Sequence, residues 1–80
     1  MQTLHIQYFA ILREQRGVAQ ETLTSDAKTP GALYDELRAR HRFTLPTDRV
    51  RAAVNDAFVD AASPLHEGDR VVFIPPVAGG

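Results

Sequence analysis

The sequence contains no cysteine. That absence removes a disulfide framework, a thiol nucleophile and thiolate metal ligands together. It is compatible with a reducing cytoplasm, which is the expected location. Charge of one sign is also lacking: 9 Lys and Arg stand against 10 Asp and Glu, for a formal net charge of -1. Non-specific nucleic-acid binding needs a clustered basic excess, and docking to an anionic membrane needs a basic patch. Neither nucleic acid nor membrane is therefore an expected partner. No apolar run approaches the roughly 18 residues of a membrane span. The opening MQTLHIQYFAILREQRG mixes polar and apolar residues from the start, so no secretion signal is expected.

Conventional catalytic equipment is scarce as well. His5, His41 and His66 show no metal-ligand spacing, so they are read as half-exposed polar residues and no metal site is expected. Ser25 and Ser63 lie in no Gly-x-Ser-x-Gly elbow. Asp35 and Glu36 are neighbours in a helical stretch and point in different directions. The glycines at 17, 31, 68, 79 and 80 form no phosphate-cradling loop. A self-sufficient enzyme is not expected from this inventory.

What is present is an ordinary globular pattern over 80 residues, with 44% hydrophobic and 24% charged residues, which fits one domain. In residues 3–10, Leu4, Ile6 and Tyr8 alternate with Thr3, His5 and Gln7, as in a half-buried strand. Phe9 breaks the alternation, being large and apolar on the polar side. Residues 10–16 suit one or two helical turns, closed by Gly17. Residues 18–24 read as a second, antiparallel edge strand, because the connection is too short for a parallel crossover. Thr29-Pro30 announces a helix with Leu33 and Leu37 on one face and Tyr34 and His41 beside them. Its Arg38, Arg40 and Arg42 read as a solvated, dipole-compatible end rather than a phosphate site. Residues 43–49 connect to a strand at 50–54. Asn55-Asp56 turns the chain into a short strand at 57–59, and RVVFI at 70–74 is the last strand.

Strand, strand, helix, strand, short strand and strand make an α+β layer: a mixed sheet on one main helix. With the first and last strands side by side in the middle, this is the β-grasp, or ubiquitin-like, arrangement. The domain is expected over residues 1–74, and a flexible C-terminal tail over 75–80.

That tail, PPVAGG, carries no side-chain acid, base, nucleophile or metal ligand. Pro75 and Pro76 lack N–H donors and favour an extended exit. Six extended residues reach roughly 20 Å. Gly79 and Gly80 pass a channel too narrow for side chains. The tail is either an accidental end or a carboxylate shaped for delivery into another protein's active site. A carboxylate becomes reactive only when given a better leaving group, as in an acyl-adenylate.

YFAILRE (8–14), AAVN (52–55) and PLHEGDRVVFIPPVAGG (64–80) resemble the small, sulfur-carrier subunits of molybdopterin synthases. The resemblance covers nearly the whole chain and is most specific where PPVAGG follows the GD-x-V-x-F strand. Gly-Gly alone is shared with ubiquitin and several of its relatives. The resemblance implies a β-grasp fold and a role for Gly80 as the reactive terminus. An E1-like adenylyltransferase would adenylate it with ATP, and a sulfurtransferase or cysteine desulfurase would supply sulfur for a thiocarboxylate. Pro75, Pro76, Val77, Ala78 and Gly79 would thread into the active site of the large synthase subunit. Sulfur would pass there to cyclic pyranopterin monophosphate, forming the dithiolene of molybdopterin. Catalytic side chains would belong to the large subunit, in a heterotetramer. The carrier itself would bind no cofactor, the ATP being used by the activating enzyme. The resemblance further implies an apolar docking surface at Phe9, Phe58 and Ile74, and it sets the charge of Arg51 where relatives can be apolar. Three other readings stay open: a thiamine-pathway sulfur carrier, a ubiquitin-like modifier conjugated through Gly80, and a binding module with an inert tail.

Overall fold

The computed structural model describes residues 1–76. Strand β1 (Gln2–Tyr8) buries Leu4, Ile6 and Tyr8, as their alternation predicts. It stops at Tyr8 because Ala10 takes a positive φ of 52° and turns the chain into α1 (Ala10–Arg16). This short helix points Leu12 inward and ends at Gly17, whose φ of 89° lets its N–H reach the Arg13 carbonyl at 2.9 Å. Strand β2 (Gln20–Ser25) returns antiparallel to β1, with Leu4 opposite Leu23 and Ile6 opposite Glu21. It begins two residues later than the sequence pattern suggests.

Helix α2 (Pro30–His41) starts where Thr29 accepts a hydrogen bond from the Ala32 N–H and Pro30 occupies the first turn. It buries Leu33, Tyr34 and Leu37 against the sheet and ends at Arg42, which adopts a left-handed φ of 58°. A single 3-10 turn (Thr47–Arg49) then leads to strand β3 (Arg51–Val54). Asn55 and Asp56, with φ of 50° and 73°, form the turn into β4 (Ala57–Val59). Both residue types tolerate the left-handed region, which explains their place here.

The last strand, β5 (Arg70–Ile74), runs parallel to β1 on one side and antiparallel to β3 on the other. The five-stranded sheet has the order β2-β1-β5-β3-β4. The first and last strands thus lie side by side at its centre, with helix α2 on one face. This is the β-grasp arrangement expected from the sequence.

Between helix and sheet, Phe43 inserts between two other aromatics. Its ring centroid is 5.6 Å from that of Tyr8 and 5.8 Å from that of Tyr34, and Tyr34 in turn lies 5.3 Å from Phe73. Leu65 joins this core from the long connection before β5, anchored by its N–H to the Lys28 carbonyl at 2.9 Å. One histidine departs from the sequence reading. His5 and His66 are exposed, but His41 is largely enclosed, with its side chain 16% accessible. It is the last residue of α2, and its ring lies beside Phe43.

Candidate docking face at the root of the tail

The sheet buries one face under α2 and leaves the other open. Alternation along β1 puts His5 and Gln7 on the open side, and Phe9 continues that phase in extended backbone (φ -125°, ψ 154°). On β5 the open side carries Arg70, Val72 and Ile74, while Val71 and Phe73 are buried. Gln7 pairs with Val72, Val72 with Ala53 and Ala53 with Phe58, so one row crosses four strands. Ile74 pairs with Arg51 in the next row. Phe9, Ile74 and Phe58, the three apolar residues singled out in the sequence, therefore share one face.

They are not one contiguous cluster. Phe9 and Ile74 line an apolar groove together with Ala10, Ile11, Leu45, Pro75 and Pro76. Phe58 stands at the far edge, 60% exposed, on the three-residue strand β4. Arg51 bridges the gap: it lies opposite Ile74, and its guanidinium carbon sits 4.5 Å from the centroid of the Phe58 ring. Phe9 at 43% and Ile11 at 39% exposure leave much of their apolar surface in water. Clusters of this kind mark sites of association rather than folding.

Ile11 and Leu45 were not legible as members of this surface. Ile11 precedes a buried leucine in a helix of seven residues, too short to show a period, and Leu45 lies in a connection. The adjacent pair Ile11-Leu12 carries the only signal, since consecutive helical residues cannot both face the core. Pro75 and Pro76 leave the sheet directly beside the groove. Val77, Ala78, Gly79 and Gly80 lie outside the described residues.

Two polar networks hold this face in shape. The first closes the turn between β3 and β4. Asp69, 8% exposed, accepts hydrogen bonds from Asn55 Nδ2 at 2.9 Å and the His66 N–H at 2.8 Å. Asn55 Oδ1 accepts from the Arg70 N–H at 3.0 Å, and the Arg70 guanidinium donates to both oxygens of Asp56 at 2.9 Å. The turn that carries Phe58 is thus tied to the start of β5.

The second network centres on Glu21. It accepts from the Tyr8 hydroxyl and receives two bonds from Arg16, at 3.0 and 2.8 Å, which pin the end of α1 to β2. The Arg16 hydrogen bonds hold the Glu21 carboxyl below its ordinary range. Burial, and then the adjacent Glu21, push the Tyr8 phenol far above its own. His41 Nε2 lies 3.9 Å from Glu21, without a hydrogen bond among the described residues. Burial, assisted by Arg16, lowers its pKa although Glu21 opposes the shift. This arrangement fixes α1, and with it Phe9 and Ile11, against the sheet.

Among the described residues no group of three or more His, Asp or Glu is placed to hold a metal ion. No described helix is long and apolar enough to cross a membrane. The face offers binding surface, and its side chains form no acid–base or nucleophilic constellation.

The profile of the ThiS family matches residues 6–80 of the chain. The molybdopterin synthase sulfur carrier subunit of Escherichia coli (strain K12) is 35% identical over 80 residues, spanning 96% of this chain and 99% of that protein. Among solved structures, small archaeal modifier protein 1 of Haloferax volcanii superposes with a TM-score of 0.79 at 22% identity, covering 96% of this chain and 100% of that one. A chain in the complex of subunits 1 and 2 of molybdopterin-converting factor from Helicobacter pylori superposes with a TM-score of 0.67 at 23% identity, covering 98% of this chain and 99% of that one. At those identities the two structures attest the fold. With the β-grasp sheet order and a match running almost end to end, the chain belongs to the ThiS family of ubiquitin-like sulfur-carrier proteins.

Proposed function

We propose that this chain is the sulfur-carrier subunit of a molybdopterin synthase, and that its reactive group is the carboxylate of Gly80. The observation that carries the reading is the apolar groove of Phe9, Ile11, Ile74, Pro75 and Pro76, formed where the chain leaves the sheet. A protein bound there lies next to the departing tail, so docking and delivery are coupled. The 35% identity to a molybdopterin synthase sulfur carrier subunit supports the reading.

The chemistry follows from the carboxylate. Its oxygen attacks the α-phosphorus of ATP on an E1-like adenylyltransferase, forming the acyl-adenylate and releasing pyrophosphate. A persulfide sulfur, supplied by a sulfurtransferase or cysteine desulfurase, displaces AMP. Thiol attack on the resulting S–S bond releases the Gly80 thiocarboxylate and leaves the donor system oxidised. Pro75, Pro76, Val77, Ala78 and Gly79 thread this group into the large subunit, where sulfur is transferred to cyclic pyranopterin monophosphate. Each transfer returns Gly80 to a carboxylate, so the two sulfurs of the dithiolene require reloading. Catalytic side chains come from the large subunit, and Phe9, Phe58 and Ile74 provide the docking contacts. The complex of subunits 1 and 2 that contains the Helicobacter pylori chain of this fold supports such a partner.

Deleting Gly79 and Gly80 tests the reading. Pterin sulfuration should fall to background while circular dichroism and the unfolding midpoint stay at their full-length values. Sulfuration retained by the shortened chain would rule the mechanism out.

A further inference from the structure

Arg51 does not fit a purely apolar docking face. It projects from β3 on the open side of the sheet, between Ile74 and Phe58, and is exposed. Arg70, on the open side of β5, donates to both carboxylate oxygens of Asp56. Among the described residues Arg51 has no ion pair. Asp60, just beyond β4, lines the same cleft as Arg51 without making one. Instead the Arg51 guanidinium covers the Phe58 ring at 4.5 Å. The residue is exposed and its guanidinium makes no hydrogen bond among the described residues, so its N–H edge has no protein partner.

A partner that covers Phe58 and Ile74 must also desolvate that edge. Burying an unpaired guanidinium is strongly unfavourable, whereas a bidentate carboxylate satisfies both its charge and its donors. We propose that Arg51 is a specificity determinant of the docking face. The face fits a protein that sets an Asp or Glu carboxylate against the Arg51 edge while its apolar side chains cover Phe58 and Ile74. The proposal rests on the docking face being the large-subunit surface. It adds the chemistry of that partner: an apolar contact with an acidic residue at the Phe58 end.

The test measures binding of the full-length chain to the large synthase subunit of the same organism by calorimetry, at low and high salt. Wild type, Arg51→Leu, Arg51→Glu and Phe9→Ala are compared, and thermal unfolding confirms that each variant is folded. Arg51→Leu should weaken binding about 10- to 100-fold and flatten its salt dependence, and Arg51→Glu should weaken it further. Unchanged or tighter binding by Arg51→Leu would overturn the proposal. So would a loss that keeps the wild-type salt dependence, because it would assign the effect to packing on Phe58. Weakening by Phe9→Ala without weakening by Arg51→Leu would remove Arg51 alone and leave the docking face standing. If the wild-type chain does not bind, both fail together.

Discussion

Phe9 and Leu12 lie one turn apart and should separate binding from folding. Phe9 is 43% exposed at the groove, whereas Leu12 is fully buried. Phe9→Ala should weaken association with the large subunit about tenfold or more and change stability by less than about 1 kcal/mol. Leu12→Ala should cost about 2–5 kcal/mol of stability, read from urea unfolding. Equal losses of binding and stability in Phe9→Ala would make Phe9 a core residue. Between them, Ala10 holds a φ of 52°, which is unfavourable for an L-residue with a Cβ. Ala10→Gly should therefore raise the unfolding free energy by up to about 1 kcal/mol, the relief exceeding the added chain entropy. A lower urea midpoint would contradict that. The His41 and Glu21 pair gives a pH signature. The folded state lowers the pKa of His41, so the unfolded chain takes up the proton first. Stability should fall as pH drops below about 6.5 and on through the lowered folded value. Glu21, also lowered, contributes fully above its ordinary value of about 4.3 and loses that contribution as pH falls through its own folded value. In His41→Phe the decline in melting temperature between about pH 7 and 5 should flatten. An unchanged decline would assign it to other groups.

At the scale of elements, the β3–β4 hairpin is the piece that carries Phe58 and Arg51, and its order depends on Asn55. That residue supplies a left-handed φ of 50° and two side-chain hydrogen bonds, to Asp69 and the Arg70 N–H. Asn55→Ala should cost about 1–3 kcal/mol and speed amide exchange at Phe58 and Val59 more than in β1. Uniform acceleration across the sheet would mean global destabilisation instead. The elements themselves were largely legible. Leu4, Ile6 and Tyr8 alternate, Thr29-Pro30 marks a helix start, and Asn55-Asp56 marks a turn, each through a local rule. What escaped depends on partners remote in sequence. Phe43 and Leu65 lie outside regular elements, so no period announces their burial. Glu21 sits at an intermediate position of an edge strand, and only folding brings Tyr8, Arg16 and His41 to it. The bridge from Arg51 to Phe58 likewise needs the register of β3 and β4, which sequence spacing alone does not set.

For the molecule as a whole, the β-grasp sheet acts as a platform. One face is filled by α2 and the aromatic core, the other presents apolar surface, and the chain departs beside it through Pro75 and Pro76. The absence of cysteine is consistent with a carrier whose sulfur is held on the terminal carboxylate carbon rather than on a side chain. On the function proposed above, the platform accounts for a chain with so few reactive side chains: the chemistry would lie in the backbone terminus and the selectivity in the open face. The most direct test is intact-mass and fragment-ion analysis of the chain after incubation with ATP, the activating enzyme and a persulfide donor. The account predicts a species heavier by the difference between one sulfur and one oxygen, with the added mass confined to Gly80. Unchanged mass, or sulfur found at any other residue, would contradict it.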